Sequence, residues 1–246
     1  MNAFIGLLYH AEMWKANHVD PKQLWSHEEG YNLFRCTMPL NRFYYLSKCL
    51  RFDDKSKRSQ GNKFACIEEI WNIFIERCHS NYEAHKLCTV DEQLLGFRGK
   101  CPFRVYIKSK PDKYGIKIVT LNDAENSYLI NAIPYKGKIQ VKDGLIPEYL
   151  LRKVTEPIHG THHSVTCDSW FTTIPLIEKM QKQPYDLTIT GTIRSNKKEI
   201  PLEMKIAGEE RTAKYCHHDS ITLVSWTPKK KKKCISGFFL PTIYSN

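Results

Sequence analysis

Two aspartates stand where short β-type runs end. Residues 87–90 lead into Asp91, and Ser164-Val-Thr-Cys leads into Asp168. Carboxylates are hard oxygen donors, and a site built from oxygen alone takes Mg²⁺ or Mn²⁺. Such ions activate an attacking oxygen and stabilise a leaving one in phosphodiester chemistry. Directly after Asp91 comes a basic, glycine-punctuated, aromatic segment carrying Phe97, Arg98, Lys100, Phe103, Arg104, Tyr106, Lys108, Lys110 and Lys113. A second basic turn, Arg194-Ser-Asn-Lys197-Lys198, lies further on. A cation site beside phosphate contacts is the chemistry these residue types could support. The same residues have plainer readings. Asp91 fits a turn at a strand end, Asp168 a helix cap ahead of Trp170, and the basic run a solvated face.

Whether the aspartates can cooperate depends on the elements that carry them. Residues 1–84 read as helical, with Phe4, Leu7, Leu8 and Ala11 at helical spacing. Asp20-Pro21 suits an N-cap and first helical position, and Leu40, Phe43, Tyr44, Leu46, Ser47 and Leu50 form an amphipathic pattern after Pro39. Residues 53–63 are polar and read as a loop. Ile67, Ile70, Trp71, Phe74, Ile75 and Cys78 then make a helical stripe, expected to be core.

From residue 86 the period changes toward strands. Strands are predicted at 87–91, 115–121 and 128–134, a helix at 144–154, a strand at 164–168, a helix at 172–182 and a strand at 187–193. Residues 199–227 give one clear strand, at 221–226. Three strands can form an antiparallel meander. The fourth then returns through the crossover helix and lies parallel to the first. That arrangement puts Asp91 and Asp168, 77 positions apart (168 − 91), on neighbouring strands about 4.8 Å apart. The expected fold class is α/β: a ribonuclease H-like mixed sheet with flanking helices, preceded by an α-helical N-terminal region.

Composition agrees with an anionic partner. The net charge is +11 and the sequence pI about 9.1, a balance that favours nucleic acid. No apolar run of 18 residues occurs, so no membrane partner is expected. The apolar start at 1–9 lacks a basic leader and does not read as a signal peptide. Nine cysteines without a C-x-x-C pair argue against a disulfide framework and a zinc ribbon, and favour reduced thiols in the cytosol or nucleus. Cys216-His217-His218 is a lone cluster without a second half. The five lysines at 229–233 read either as a nuclear-import or nucleic-acid patch or as a solvated, disordered terminus.

Four motifs in order carry a family resemblance. They are Asp91-Glu-Gln-Leu-Leu-Gly-Phe-Arg-Gly-Lys-Cys-Pro-Phe-Arg, Lys110-Pro-Asp-Lys-Tyr-Gly-Ile-Lys, Cys167-Asp168-Ser-Trp-Phe-Thr-Thr-Ile-Pro-Leu, and Gly191-Thr-Ile-Arg-Ser-Asn-Lys-Lys-Glu-Ile-Pro. Together the chain, from about residue 3 to about 233, resembles the piggyBac transposase family. The resemblance implies a nuclear DNA transposase with a DDD triad on a ribonuclease H-like core. It implies Mg²⁺ or Mn²⁺ as cofactor and DNA as partner, with hairpin ends, TTAA targets and a possible homodimer. Asp91 matches the first catalytic and metal-binding aspartate and Asp168 the second. Arg98, Lys100, Arg104, Lys108, Lys110, Lys113, Arg194, Lys197 and Lys198 are the expected DNA contacts.

The chain also departs from that pattern. The third aspartate and the cysteine-rich zinc domain have no counterpart, and the start falls inside the family's helical region. The resulting division is a helical region at 1–84, the first part of the catalytic core at 85–198, the start of an insertion region at 199–233, and a divergent tail at 234–246. Truncation at both ends would weaken metal binding and impair catalysis. It would also leave a marginal core with apolar sheet surface uncovered.

Overall fold

The computed structural model describes residues 1–58, 61–137, 145–229 and 232–236. The chain divides into two compact units, Met1–Gln60 with Ala65–Ile67, and Gly61–Phe64 with Glu68–Asn246.

The first unit is helical. It holds α1 (Asn2–Met13), α2 (Pro21–Leu24), α3 (Asn32–Thr37) and α4 (Leu40–Cys49). Pro21 sits in the first turn of α2, and the Asp20 carboxylate accepts from the Lys22 amide at 2.9 Å, satisfying one of the orphan donors of a helix start. Phe4, Leu7, Leu24, Trp25, Phe34 and Phe43 form the core. Trp25 packs its ring 4.9 Å from Phe34 and 4.8 Å from Phe43, while its indole N–H reaches the Met38 carbonyl at 2.8 Å. A large apolar ring with its one donor satisfied is a stable way to fill a small core. In the polar stretch after α4, Asp54 caps a single helical turn at Lys55–Lys57.

The second unit contains most of α5 (Ala65–Ser80). Its division from the first unit therefore falls near residues 60–68 and not at the change of period at 84–85. Side chains explain why. Glu68 pairs with Lys136 at 2.7 Å, and the Cys78 carbonyl accepts from the Tyr128 hydroxyl at 3.1 Å. The apolar stripe of α5 departs from expectation: Cys78 is buried, but Ile70 and Phe74 are exposed.

A six-stranded sheet follows, made of β1 (Leu87–Gly96), β2 (Val105–Tyr106), β3 (Tyr114–Asp123), β4 (Leu129–Pro134), β5 (Ser164–Cys167) and β6 (Thr188–Gly191). Its order is β2-β3-β1-β5-β6, with β4 also paired to β3. β3 pairs antiparallel with β1, β2 and β4, whereas β5 lies parallel to β1 and β6 parallel to β5. A parallel return needs a crossover, and the helices α6 (Ile146–Val154) and α7 (Ile174–Met180) stand in the two connections. Leu150, Leu151, Val154, Leu176, Ile177 and Met180 from these helices pack on Cys88, Val90, Val119, Leu121, Val165, Cys167 and Ile189.

The opposite face of the parallel strands is not the uncovered apolar surface expected. In register it carries Leu87, Ser164 and Thr188 in one row and Thr89, Thr166 and Thr190 in the next. Threonine suits a strand and tolerates water, so this face does not need an apolar cover.

A second sheet was less legible. β7 (Thr212–His218), β8 (Ile221–Lys229) and β9 (Lys232–Ser236) make an antiparallel meander beside the short α8 (Leu202–Lys205). Ile193, Ile200, Met204 and Leu223 form its core. Lys229 pairs with Lys232, so the described lysines belong to a hairpin and not to a disordered terminus. Lys230, Lys231 and residues 237–246, which include most of the predicted tail, lie outside the described residues.

Candidate functional site

The pairing of β1 with β5 fixes the two aspartates. It runs Leu87↔Ser164, Cys88↔Val165, Thr89↔Thr166 and Val90↔Cys167. One further step in the same register sets Asp91 opposite Asp168. Side chains alternate across a strand, so both aspartates belong to the face of Thr89 and Thr166, and both are exposed. One expectation needs correcting. β5 ends before Asp168, but β1 continues through Asp91 to Gly96, because its other edge stays paired with β3 at Asp91↔Thr120. Asp91 is thus at the point where the parallel pairing ends, not at a strand tip.

Each carboxylate is held by one oxygen. Asp91 Oδ1 accepts from the Glu92 amide at 2.7 Å, and Asp168 Oδ1 accepts from the Trp170 amide at 2.9 Å. Among the described residues the Oδ2 atoms have no protein partner. Two oriented carboxylates on adjacent strands, with free oxygens in solvent, fit a shared hard divalent cation. No third His, Cys, Asp or Glu is gathered with them among the described residues.

Beneath the pair the wall is close-packed. A Cβ built on Gly191 would lie 2.5 Å from Thr172 Oγ1 and 2.7 Å from the Cys167 carbonyl oxygen, so only glycine lets β6 approach this near. The Thr172 hydroxyl donates to the Asp168 carbonyl at 2.8 Å, tying the loop back to the end of β5. Burial pushes the Cys167 thiol up to about 11, which keeps it protonated at neutral pH and unsuited to act as a nucleophile.

Three residues that sequence reasoning missed connect the strand of Asp91 to the loop of Asp168. Glu92, on the face opposite Asp91, forms an ion pair with Lys117 at 2.5 Å. Lys117 Nζ also sits 3.8 Å from the Trp170 ring centroid and 5.5 Å from that of Tyr135. The ammonium on the ring face holds Trp170, two residues past Asp168, against β3. The available signal was Lys117 itself, the one charge within the run 115–121.

The expected DNA contacts divide into groups. Arg98, Arg104 and Lys113 line one cavity with Pro111, Asp112 and Tyr114. Lys110 donates to the Glu92 carbonyl at 3.2 Å and brings the basic segment next to Asp91. Lys100 and Lys108 are exposed on the same segment. Arg194, Lys197 and Lys198 follow β6, with Arg194 and Lys198 exposed and the Lys197 carbonyl accepting from Lys205 at 2.7 Å.

The opposite end of the sheet is tied by a polar network. Asp123 is buried and accepts from the His85 ring and amide at 2.8 Å, the Tyr82 hydroxyl at 2.9 Å and the Glu125 amide at 2.8 Å. Burial alone would raise its pKa. These donors outweigh burial and hold the carboxyl well below the usual range, while Asp123 and then Glu125 raise His85.

The mixed sheet, with parallel neighbours carrying one aspartate each and helices in the crossovers, is a ribonuclease H-like α/β fold. The family model described as Transposase IS4 matches residues 1–243, and the chain belongs to that family. Within it, the chain is similar to a piggyBac transposase solved in a synaptic complex with hairpin DNA, at 41% identity and a TM-score of 0.88. That match covers 94% of this chain and 50% of the transposase chain. It is also similar to the human PiggyBac transposable element-derived protein 3, 24% identical over 184 residues. There the match covers 71% of this chain and 30% of the relative. The chain therefore spans half or less of the proteins it matches.

Proposed function

We propose that this transposase-derived domain binds DNA through its basic segments and holds a divalent cation between Asp91 and Asp168. The observation that carries the reading is the β1–β5 register, which brings 91 and 168 level. Asp91 and Asp168 would present their free Oδ2 atoms to Mg²⁺ or Mn²⁺, while the Glu92 and Trp170 amides keep the carboxylates turned. An ion bound there supplies the positive charge that phosphodiester cleavage and strand transfer require. Lys110, held beside Asp91, and the exposed Arg194 and Lys198 would meet backbone phosphates. With two carboxylates, metal affinity would be modest and cleavage weak. The DNA partner is suggested by the synaptic complex of the similar transposase. TTAA targeting, a homodimer and nuclear residence belong to the same proposal.

The test is a metal-dependent nicking assay on a linear duplex with Asp91→Ala and Asp168→Ala. Nicking by the parent chain that both substitutions abolish supports the site, and nicking that survives both refutes it. A second reading is a transposase-derived protein that binds DNA without cutting it. It is favoured because no third metal-ligating side chain joins the pair among the described residues. Salt-sensitive binding with no metal-dependent nicking would select it.

A further inference from the structure

The two amides that turn the carboxylates belong to residues whose side chains meet at one point. The Glu92 amide donates to Asp91 Oδ1, and the Trp170 amide donates to Asp168 Oδ1. The Glu92 carboxylate pairs with Lys117 Nζ at 2.5 Å, and the same Nζ sits 3.8 Å from the Trp170 ring centroid. One ammonium therefore ties together the backbone that orients both aspartates. It does so from behind the sheet, because Glu92 lies on the face opposite Asp91.

The anchor is firmer than what it holds. Lys117 lies inside β3, and its carbonyl accepts from the Tyr135 amide at 2.8 Å. The Lys117 side chain is 13% exposed and that of Glu92 19%, so water and salt screen the pair weakly. Asp91 stays in a strand paired with β3, whereas Asp168 follows the last residue of β5. Among the described residues the strand pairing of β5 stops at Cys167. The Thr172 hydroxyl and the Phe171 amide hold the Asp168 carbonyl, at 2.8 Å and 3.2 Å. The Trp170 ring on Lys117 then fastens this loop to β3.

We propose that Lys117 is a positioning residue for the cation site: through Glu92 and Trp170 it sets how the Asp91 and Asp168 carboxylates stand to one another. The inference rests on the cation reading above and adds to it a residue that touches no ion. The charge of Lys117 makes the test one of sign. By charge alone a lysine opposes a nearby cation, so its removal would tighten binding or leave it unchanged. Removal of a positioning residue loosens binding, because the groups behind metal ligands set the ligands' geometry.

The test is Mn²⁺ affinity of the full chain by electron paramagnetic resonance, measured below the melting range of every variant. Lys117→Met should weaken binding by about tenfold or more. Lys117→Arg keeps both the ion pair and the ring contact and should restore most of it. Trp170→Leu changes no charge, should also weaken binding, and decides the matter should Lys117→Met fail to fold. Asp123→Asn, at the opposite end of the sheet, loses stability without touching the clamp and should bind as the parent does. Four results would overturn this inference alone: parent-like or tighter binding by Lys117→Met, parent-like binding by Trp170→Leu, Lys117→Arg no better than Lys117→Met, or an equal loss in Asp123→Asn. A parent chain that takes up no Mn²⁺ would overturn it together with the reading on which it rests.

Discussion

Gly191→Ala should loosen the end of β5 from which Asp168 projects. The added methyl would meet Thr172 Oγ1 at 2.5 Å and the Cys167 carbonyl oxygen at 2.7 Å. A hydroxyl can rotate away, but here it also donates to the Asp168 carbonyl, so moving it breaks that bond. The Cys167 carbonyl is backbone and can yield only if β5 and β6 part. Overpacking of this kind costs about 1–3 kcal/mol. For a chain of 246 residues that lowers the melting temperature by about 2–12 °C, at roughly 2–4 °C per kcal/mol. The double variant Thr172→Ala/Gly191→Ala removes one of the two collisions and should not recover the loss. Thermal melts followed by circular dichroism give the answer. A Gly191→Ala chain that melts with the parent, or full recovery in the double variant, would refute the argument that the carbonyl contact sets the spacing.

Other substitutions probe separate parts of the fold. Gly6→Ala in α1 has nothing within 4 Å of the new methyl and should be neutral or gain up to about 1 kcal/mol, measured by the same melts. Lys117→Met keeps much of the packing but strands Glu92 and frees Trp170; it should destabilise the chain by about 1–3 kcal/mol in urea titration. The His85–Asp123 pair gives a pH signature. His85 is raised from 6.5, so its contribution is complete below that value and is lost as pH rises through the higher folded value. Asp123 is lowered from 3.8, so its contribution is complete above that value and is lost as pH falls through the lower folded value. Melting temperature across pH should show this contribution complete between about 4 and 6.5, and Asp123→Asn should flatten the profile. DNA affinity should fall steeply with added salt, and Arg194→Ala should reduce the slope by about one.

The parts of the fold that follow a clean period were legible. Alternation in 187–193 and the mixed apolar runs at 115–121 and 128–134 gave strands, and the need for a parallel return gave the place of β5. The second half of β1 was not legible, because Glu92 and Gln93 break the apolar pattern while β3 supplies the pairing. β7 reads Thr-Ala-Lys-Tyr-Cys-His-His and buries none of these fully, so alternation had nothing to report. The α5 stripe shows the converse limit: helical spacing located the helix but could not say that Ile70 and Phe74 would be exposed. At the site, the aspartates were visible as residues ending apolar runs. The clamp of Glu92, Lys117 and Trp170 depends on diagonal contacts between strands, which a linear pattern does not encode.

The central claim is that Asp91 and Asp168 share one cation, and Mn²⁺ binding followed by electron paramagnetic resonance tests it most directly. The parent chain should bind Mn²⁺ competitively with Mg²⁺. Asp91→Asn and Asp168→Asn should each weaken binding by about tenfold or more, at about 1.4 kcal/mol per factor of ten, with both variants melting near the parent. Binding left intact by either substitution, or a parent chain that takes up no Mn²⁺, would contradict the account.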